Sequence, residues 1–125
     1  MKGYLTNPIS MMAGTSFPSV DESLFVHDAD RYLEGIFDQI DDQCERKEIE
    51  CEYSNGILSI ASSKGSLVLN RQIPAREMWL SSPISGPSHW EYKDMSTWKH
   101  TLSPELLSDR MASELSKVYG LSVKF

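Results

Sequence analysis

The 125-residue chain has the length of one domain, enough to bury roughly two thirds of the surface that its unfolded form exposes. Hydrophobic residues make up 40% and charged residues 24%, which sets it apart from disordered and fibrous chains. The formal net charge of −6 is unevenly placed, with 12 acids against 3 bases between Asp21 and Glu52 and 9 bases against 6 acids elsewhere. Such a field repels phosphate backbones and attracts cations or a basic protein surface, so no nucleic-acid partner is expected. No run of about 18 apolar residues offers a membrane span. The two cysteines, Cys44 and Cys51, are too few for a disulfide framework, fit no zinc spacing and read as reduced.

Met1 to Val20 contains no acid, one lysine and several Ser and Thr, so residues 1–20 read as a flexible leader or a presequence remnant ahead of a folded domain over 21–125. Ser19 followed by Glu22 makes a capping box, and Phe25, Ala29, Leu33, Ile36, Ile40 and Cys44 then recur at helical spacing as far as Glu45 to Lys47. Alternation follows. Ile49, Cys51 and Tyr53 share one face of a strand, with Glu50 and Glu52 on the other, and Ser54-Asn55-Gly56 turns into a hairpin partner over 57–61. Lys64-Gly65 is the next turn, Leu67 to Arg71 the third strand, Ile73-Pro74-Ala75 a break and Glu77 to Ser81 the fourth. The Pro83 to Pro87 stretch is predicted not to lie inside a strand. Two short strands are expected at His89 to Tyr92 and Thr97 to His100. Ser103-Pro104-Glu105 should open a last helix with the stripe Leu106, Leu107, Met111, Leu115 and Val118, stopped by Gly120. The order predicts an α+β two-layer sandwich, with N- and C-terminal helices packed on one face of an antiparallel sheet of about six strands.

Two surfaces could carry chemistry. Asp30, Glu34, Asp38, Asp41 and Glu45 line one side of the first helix, opposite the apolar stripe, with Asp42 alongside, and Glu48, Glu50 and Glu52 extend the field. Like charges at i,i+4 destabilise a helix, and only Arg31 interrupts them. The stripe is either a plain solvated face or a ridge of oxygen ligands for a weakly held, hydrated cation such as ferrous iron, manganese or calcium. On the fourth strand Met78 and Leu80 share one face, so Glu77, Trp79 and Ser81 share the other, where Asn70, Gln72, Arg76 and His89 are expected to join them. That composition suits an interface hot spot, although a lone surface tryptophan stays open. Trp90, Tyr92 and Trp98 are predicted inward. No phosphate loop or nucleophile motif is present, and carboxylates on a solvated helix make a poor acid/base pair.

The runs GILSI, NRQIP and WLSSPISGP, with an inward Trp98 and an acidic first helix, resemble the frataxin family over roughly Leu24 to Tyr119. The resemblance implies the same sandwich, weak binding of iron (Fe2+ or Fe3+) and a part in iron–sulfur cluster assembly as regulator or activator of a cysteine desulfurase and scaffold complex. It also leaves open ferroxidase or iron-storage activity. By position, Asp30, Glu34, Asp38, Asp41, Asp42, Glu45, Glu48 and Glu50 match the family's metal-binding ridge, and Asn70, Gln72, Arg76, Glu77, Trp79 and His89 its protein-binding sheet surface. Glu77 stands where many members carry a neutral amide, His89 where some carry arginine, and the tail after Gly120 is short. A monomer in the mitochondrial matrix is expected, or else in a bacterial cytoplasm.

Overall fold

The computed structural model describes residues 18–125, with side chains from Glu22 onward. The elements are α1 (Pro18–Arg46), β1 (Glu50–Ser54), β2 (Ile57–Ser62), β3 (Gly65–Gln72), β4 (Glu77–Ser82), β5 (Gly86–Asp94), β6 (Thr97–His100) and α2 (Leu107–Tyr119). The six strands pair in chain order as one antiparallel meander, and both helices contribute to a single core with the sheet, as the hydropathy pattern predicted. No described helix is long and apolar enough to cross a membrane.

The stripe on α1 is what holds the two layers together. Phe25, Ala29, Leu33, Ile36 and Ile40 are all fully buried and Cys44 nearly so, against Leu58, Ile60, Leu67, Leu69, Met78 and Leu80 from alternate positions of β2 to β4. At roughly 2 kcal/mol per buried aliphatic side chain, this face outweighs the unfavourable charge repulsion on the far side of the helix. Trp90 and Trp98 are likewise fully buried, and Tyr92 is half-buried. Tyr32 ties the helices together through a 2.9 Å hydrogen bond with Ser108 Oγ.

Asn55 and Gly56 both adopt positive φ, 50° and 75°, the conformation that a two-residue hairpin with the right twist requires. Gly56 is needed for a second reason: a Cβ there would lie 1.9 Å from an Arg71 guanidinium nitrogen. The arginine side chain therefore passes across the turn toward α1.

Several local expectations need correction. Residues 1–17 of the expected leader lie outside the described residues, but Pro18 to Val20 are the first turn of α1; the helix thus starts ahead of the expected cap at Ser19, whose side chain also lies outside them. Pro87 does sit in a strand, opposite Ser81; β6 pairs only with Trp90 to Asp94, so the missing N–H of Pro87 leaves no ladder bond unmade. Ser103-Pro104 does not open α2. The chain turns and bends through Thr101 to Pro104, then the His100 N–H donates to the Glu105 carbonyl at 2.9 Å and Leu106 bridges Lys99, so Leu106 becomes an extended N-cap, 39% exposed, rather than part of the stripe. The C-terminus of α2 ends on Gly120 at φ 67°, as expected.

After Gly120 the chain lies along α1. Leu121 and Val123 are buried, while Gln39 and Gln43, one helical turn apart, each bond both the N–H and the carbonyl of an alternate tail residue. Gln43 holds Ser122 at 2.9 and 2.8 Å, and Gln39 holds Lys124 at 2.8 and 2.8 Å. Phe125 stacks on Tyr32 with centroids 5.6 Å apart.

Candidate binding surfaces

The acidic ridge follows from helical geometry: 100° per residue places positions 30, 34, 38, 41 and 45 within one sector of α1, on the side that leans over β1. Asp38, Asp41, Asp42 and Glu45 are exposed and Glu34 is half-exposed. Glu48 lies in the following turn with φ 59°, and Glu50 and Glu52 occupy the outward positions of β1, while Cys51 and Tyr53 point inward. The negative field therefore wraps around the β1 edge from one layer to the other.

Asp30 departs from the expected solvent-facing stripe. Its side chain is only 31% exposed, and it pairs with Arg71 Nε at 3.2 Å while accepting a 3.2 Å hydrogen bond from the Tyr53 hydroxyl. Arg71 shares the inward face of β3 with Leu67 and Leu69, so its charge would be stranded under the helix without a carboxylate. Burial, and then the Asp30 carboxylate beside it, push the Tyr53 hydroxyl up to about 12. Asp30 is thus already committed to bracing α1 against the sheet. Asp28, outside the stripe, plays a parallel part: it accepts from the Tyr92 hydroxyl, which holds its carboxyl below the ordinary value, and pairs with His27 at 3.1 Å.

The remaining acids do not converge. Among the described residues no three His, Cys, Asp or Glu side chains are grouped to hold a metal ion. Separate, solvated carboxylates of this kind raise the local cation concentration and bind hydrated ions through one or two oxygens, rather than forming a cage.

The outer face of the sheet is more organised. Register aligns Ser54, Ile57, Asn70, Trp79 and His89 in one row across β1 to β5, with Gln72, Glu77 and Glu91 in the next. Trp79, 37% exposed, stacks flat on His89 with centroids 4.2 Å apart and planes 2° apart. Glu77 braces both rings, accepting from the Trp79 indole N–H at 2.9 Å and lying 3.6 Å from His89 Nδ1. A depression of about 170 Å³ between Val68, Trp79, Pro87 and His89 adjoins the stack. The exposed Ile57, which the sequence reading passed over, joins this row by strand parity alone. The stack preorganises the indole, so little side-chain entropy remains to be lost on docking.

Arg76 does not belong to this face. With φ 55° it leaves the strand's alternation one residue before β4, donates to the Ile73 carbonyl and holds its guanidinium 5.9 Å from the Phe25 ring centroid, toward the helical layer. Of the six residues expected on the docking surface, Asn70, Gln72, Glu77, Trp79 and His89 are brought together.

The frataxin-like domain family matches residues 18–121. The mitochondrial frataxin homolog of Schizosaccharomyces pombe is 37% identical over 95 residues, which cover 74% of this chain and 60% of that protein. The mitochondrial frataxin of Caenorhabditis elegans is 33% identical over 89 residues, covering 69% and 65%. The chain thus spans less than two thirds of the length of these curated relatives. Among solved structures, trimeric frataxin from the yeast Saccharomyces cerevisiae, complexed with ferrous iron, superposes with a TM-score of 0.64 at 28% identity, over 74% of this chain and 86% of that one. Since that yeast relative is a trimer, a monomer is not a property that the family imposes. With a match that takes in both helices and every strand, the chain belongs to the frataxin family.

Proposed function

We propose that this protein is a non-catalytic regulator of iron–sulfur cluster assembly that docks on a cysteine desulfurase and scaffold complex through its outer sheet face, while its acidic edge attracts ferrous iron or a basic partner surface. The observation that carries the reading is the exposed Trp79–His89 stack, fixed by the Glu77 carboxylate on a solvated face whose neighbours are hydrogen-bonding groups. A rigid, half-exposed aromatic with polar surroundings is the usual anchor of a protein interface. Asp38, Asp41, Asp42 and Glu45, with Glu34, Glu48 and Glu50, supply the negative field; iron is a weakly held cargo here, not a resident cofactor. A mitochondrial matrix setting accords with the names of the two curated relatives.

The test is desulfurase-linked cluster assembly with the Trp79→Ala variant. Loss of an interface anchor of this kind costs about 2 kcal/mol or more, so half-maximal stimulation should need about 30-fold more protein. Unchanged stimulation would remove the docking role. Ferroxidase chemistry requires carboxylates that share a metal, and no described set of three meets that need. Replacing Asp38, Asp41 and Asp42 by Asn should accordingly weaken ferrous-iron binding in a calorimetric titration and leave the rate of oxygen consumption under ferrous iron unchanged, whereas a fall in that rate would favour a ferroxidase.

A further inference from the structure

At the end of the molecule where both helices finish, the turn after α1, the β2–β3 hairpin and the last turn of α2 border an open concavity of about 700 Å³. Its lining includes Lys47, Lys64 and Lys117, one from each of these elements, together with Ser62 and Ser116 hydroxyls and the Glu48 carboxylate. Among the described residues none of the three ammonium groups has an ion-pair or hydrogen-bond partner, whereas Lys93 pairs with Glu91 at 3.4 Å and Lys99 donates to the His100 carbonyl at 2.8 Å. The Gly120 and Leu121 N–H groups already bond the Ser116 and Leu115 carbonyls at 3.0 Å each, so Lys47 and Lys117 act on the helix ends only through the negative ends of the two helix dipoles. Three like charges around one hollow repel one another, and a bound anion would relieve that repulsion.

We propose that this concavity is a binding site for a small, multiply charged phosphoryl anion of diphosphate or triphosphate size, held by Lys47, Lys64 and Lys117 with the two serine hydroxyls donating to its oxygens. The volume falls in the range of small-molecule sites. A lipid surface is a poor fit, since none of the large exposed apolar side chains belongs to the lining. Nucleic acid is a poor fit too, because the net-negative α1 ends at the rim. The site lies apart from the Trp79 face and does not depend on the role proposed for it.

The experiment is a two-dimensional NMR titration of the whole chain with inorganic pyrophosphate at about 0.15 M salt, where long-range attraction is screened beyond about 8 Å. Saturable shifts confined to residues 47–49, 62–65 and 116–120 are expected. Each single Lys→Gln change at the site should weaken binding about 3-fold and the triple variant about 30-fold, as for exposed charge pairs, while Lys93→Gln has no effect. These are exposed positions, and matching urea transitions would verify that the variants fold. Shifts spread over all basic residues, failure to saturate, or equal affinity in the triple variant would overturn the proposal.

Discussion

Asp30→Asn and Asp38→Asn remove the same charge from the same helix, yet their environments call for opposite effects on stability. Asp38 is exposed with Glu34 and Asp42 one turn away on either side, so neutralising it relieves two i,i+4 repulsions and should stabilise the fold by about 0.4–1 kcal/mol at low salt. Asp30 is the counter-charge of Arg71, whose side chain is 18% exposed, and the acceptor for Tyr53. An asparagine can keep the Tyr53 hydrogen bond but leaves the guanidinium without an opposite charge. A hydrogen bond to a charged group contributes about 1.5–3 kcal/mol when enclosed, and partial exposure of the pair brings the expected loss to about 1–2 kcal/mol. At roughly 4 °C per kcal/mol, Tm should fall by about 4–8 °C. Urea and thermal unfolding in iron-free buffer would measure both variants, and a double-mutant cycle with Arg71→Met should return about 1 kcal/mol of coupling. Ferrous-iron titration supplies the second readout: affinity should drop with Asp38→Asn and hold with Asp30→Asn. The reasoning fails if Asp30→Asn is as stable as Asp38→Asn, or if its loss of iron affinity is the larger.

Other consequences follow from the same contacts. Replacing Gln39 and Gln43 together by Ala removes four solvent-facing hydrogen bonds to the tail; at about 0.5 kcal/mol each, stability should fall by about 2 kcal/mol, and amide exchange at Ser122 and Lys124 should accelerate sharply. At high pH, burial raises Tyr53 and Tyr92 to about 12 from an ordinary 10.0, and Cys51 to about 12 from 9.0. The unfolded chain ionises first, so stability should decline from about pH 9–10 and be lost as pH approaches 12, with most tyrosinate absorbance appearing together with loss of far-UV ellipticity. On the acid side, the two-pronged Arg110 contact holds Glu105 below its ordinary 4.5, a stabilisation present above that value and lost as pH falls through the lowered one; Glu105→Gln should be less stable at pH 7 and show a flatter acid limb in urea midpoints.

How far the sequence could be read depended on whether a feature was local and periodic. The α1 stripe, the Asn55-Gly56 turn and the outward parity of Trp79 each need only a few neighbouring residues to decide them, and all three appear as predicted. Asp30 could not be told from Asp38 by spacing, because the difference lies in Arg71, 41 positions away, which the same parity rule sets inward beside Leu67 and Leu69. Arg76 escaped because one left-handed residue breaks the alternation on which its assignment rested. The start of α2 was read too early because Ser-Pro-Glu is a fair opening for an isolated helix, whereas here its backbone is taken up by β6. The lysine-lined concavity has no signature in sequence at all: its members are separated by 17 and 53 positions and meet only because two helices and a hairpin end at the same pole.

The arrangement of the two candidate surfaces constrains how a partner can use them. The α1 acids belong to the helical layer and Trp79 to the opposite side of the sheet, so the core lies between them and no rigid ligand of small size touches both. Only β1, an edge strand, belongs to both: its inward Tyr53 bonds Asp30 under the helix, while its outward Glu50 and Glu52 share a face with the Asn70–Trp79–His89 row, two strands from Asn70. A protein seated on Trp79 therefore meets carboxylates along that edge before it reaches the ridge, and a cation drawn to the ridge sits at the rim of the interface rather than beneath it. Rim charges act chiefly on encounter and register, and a desolvated aromatic acts on residence. For the proposed roles, this division of labour follows from the strand order, and iron attraction and partner docking should be separable by mutation even though the two fields meet at one strand.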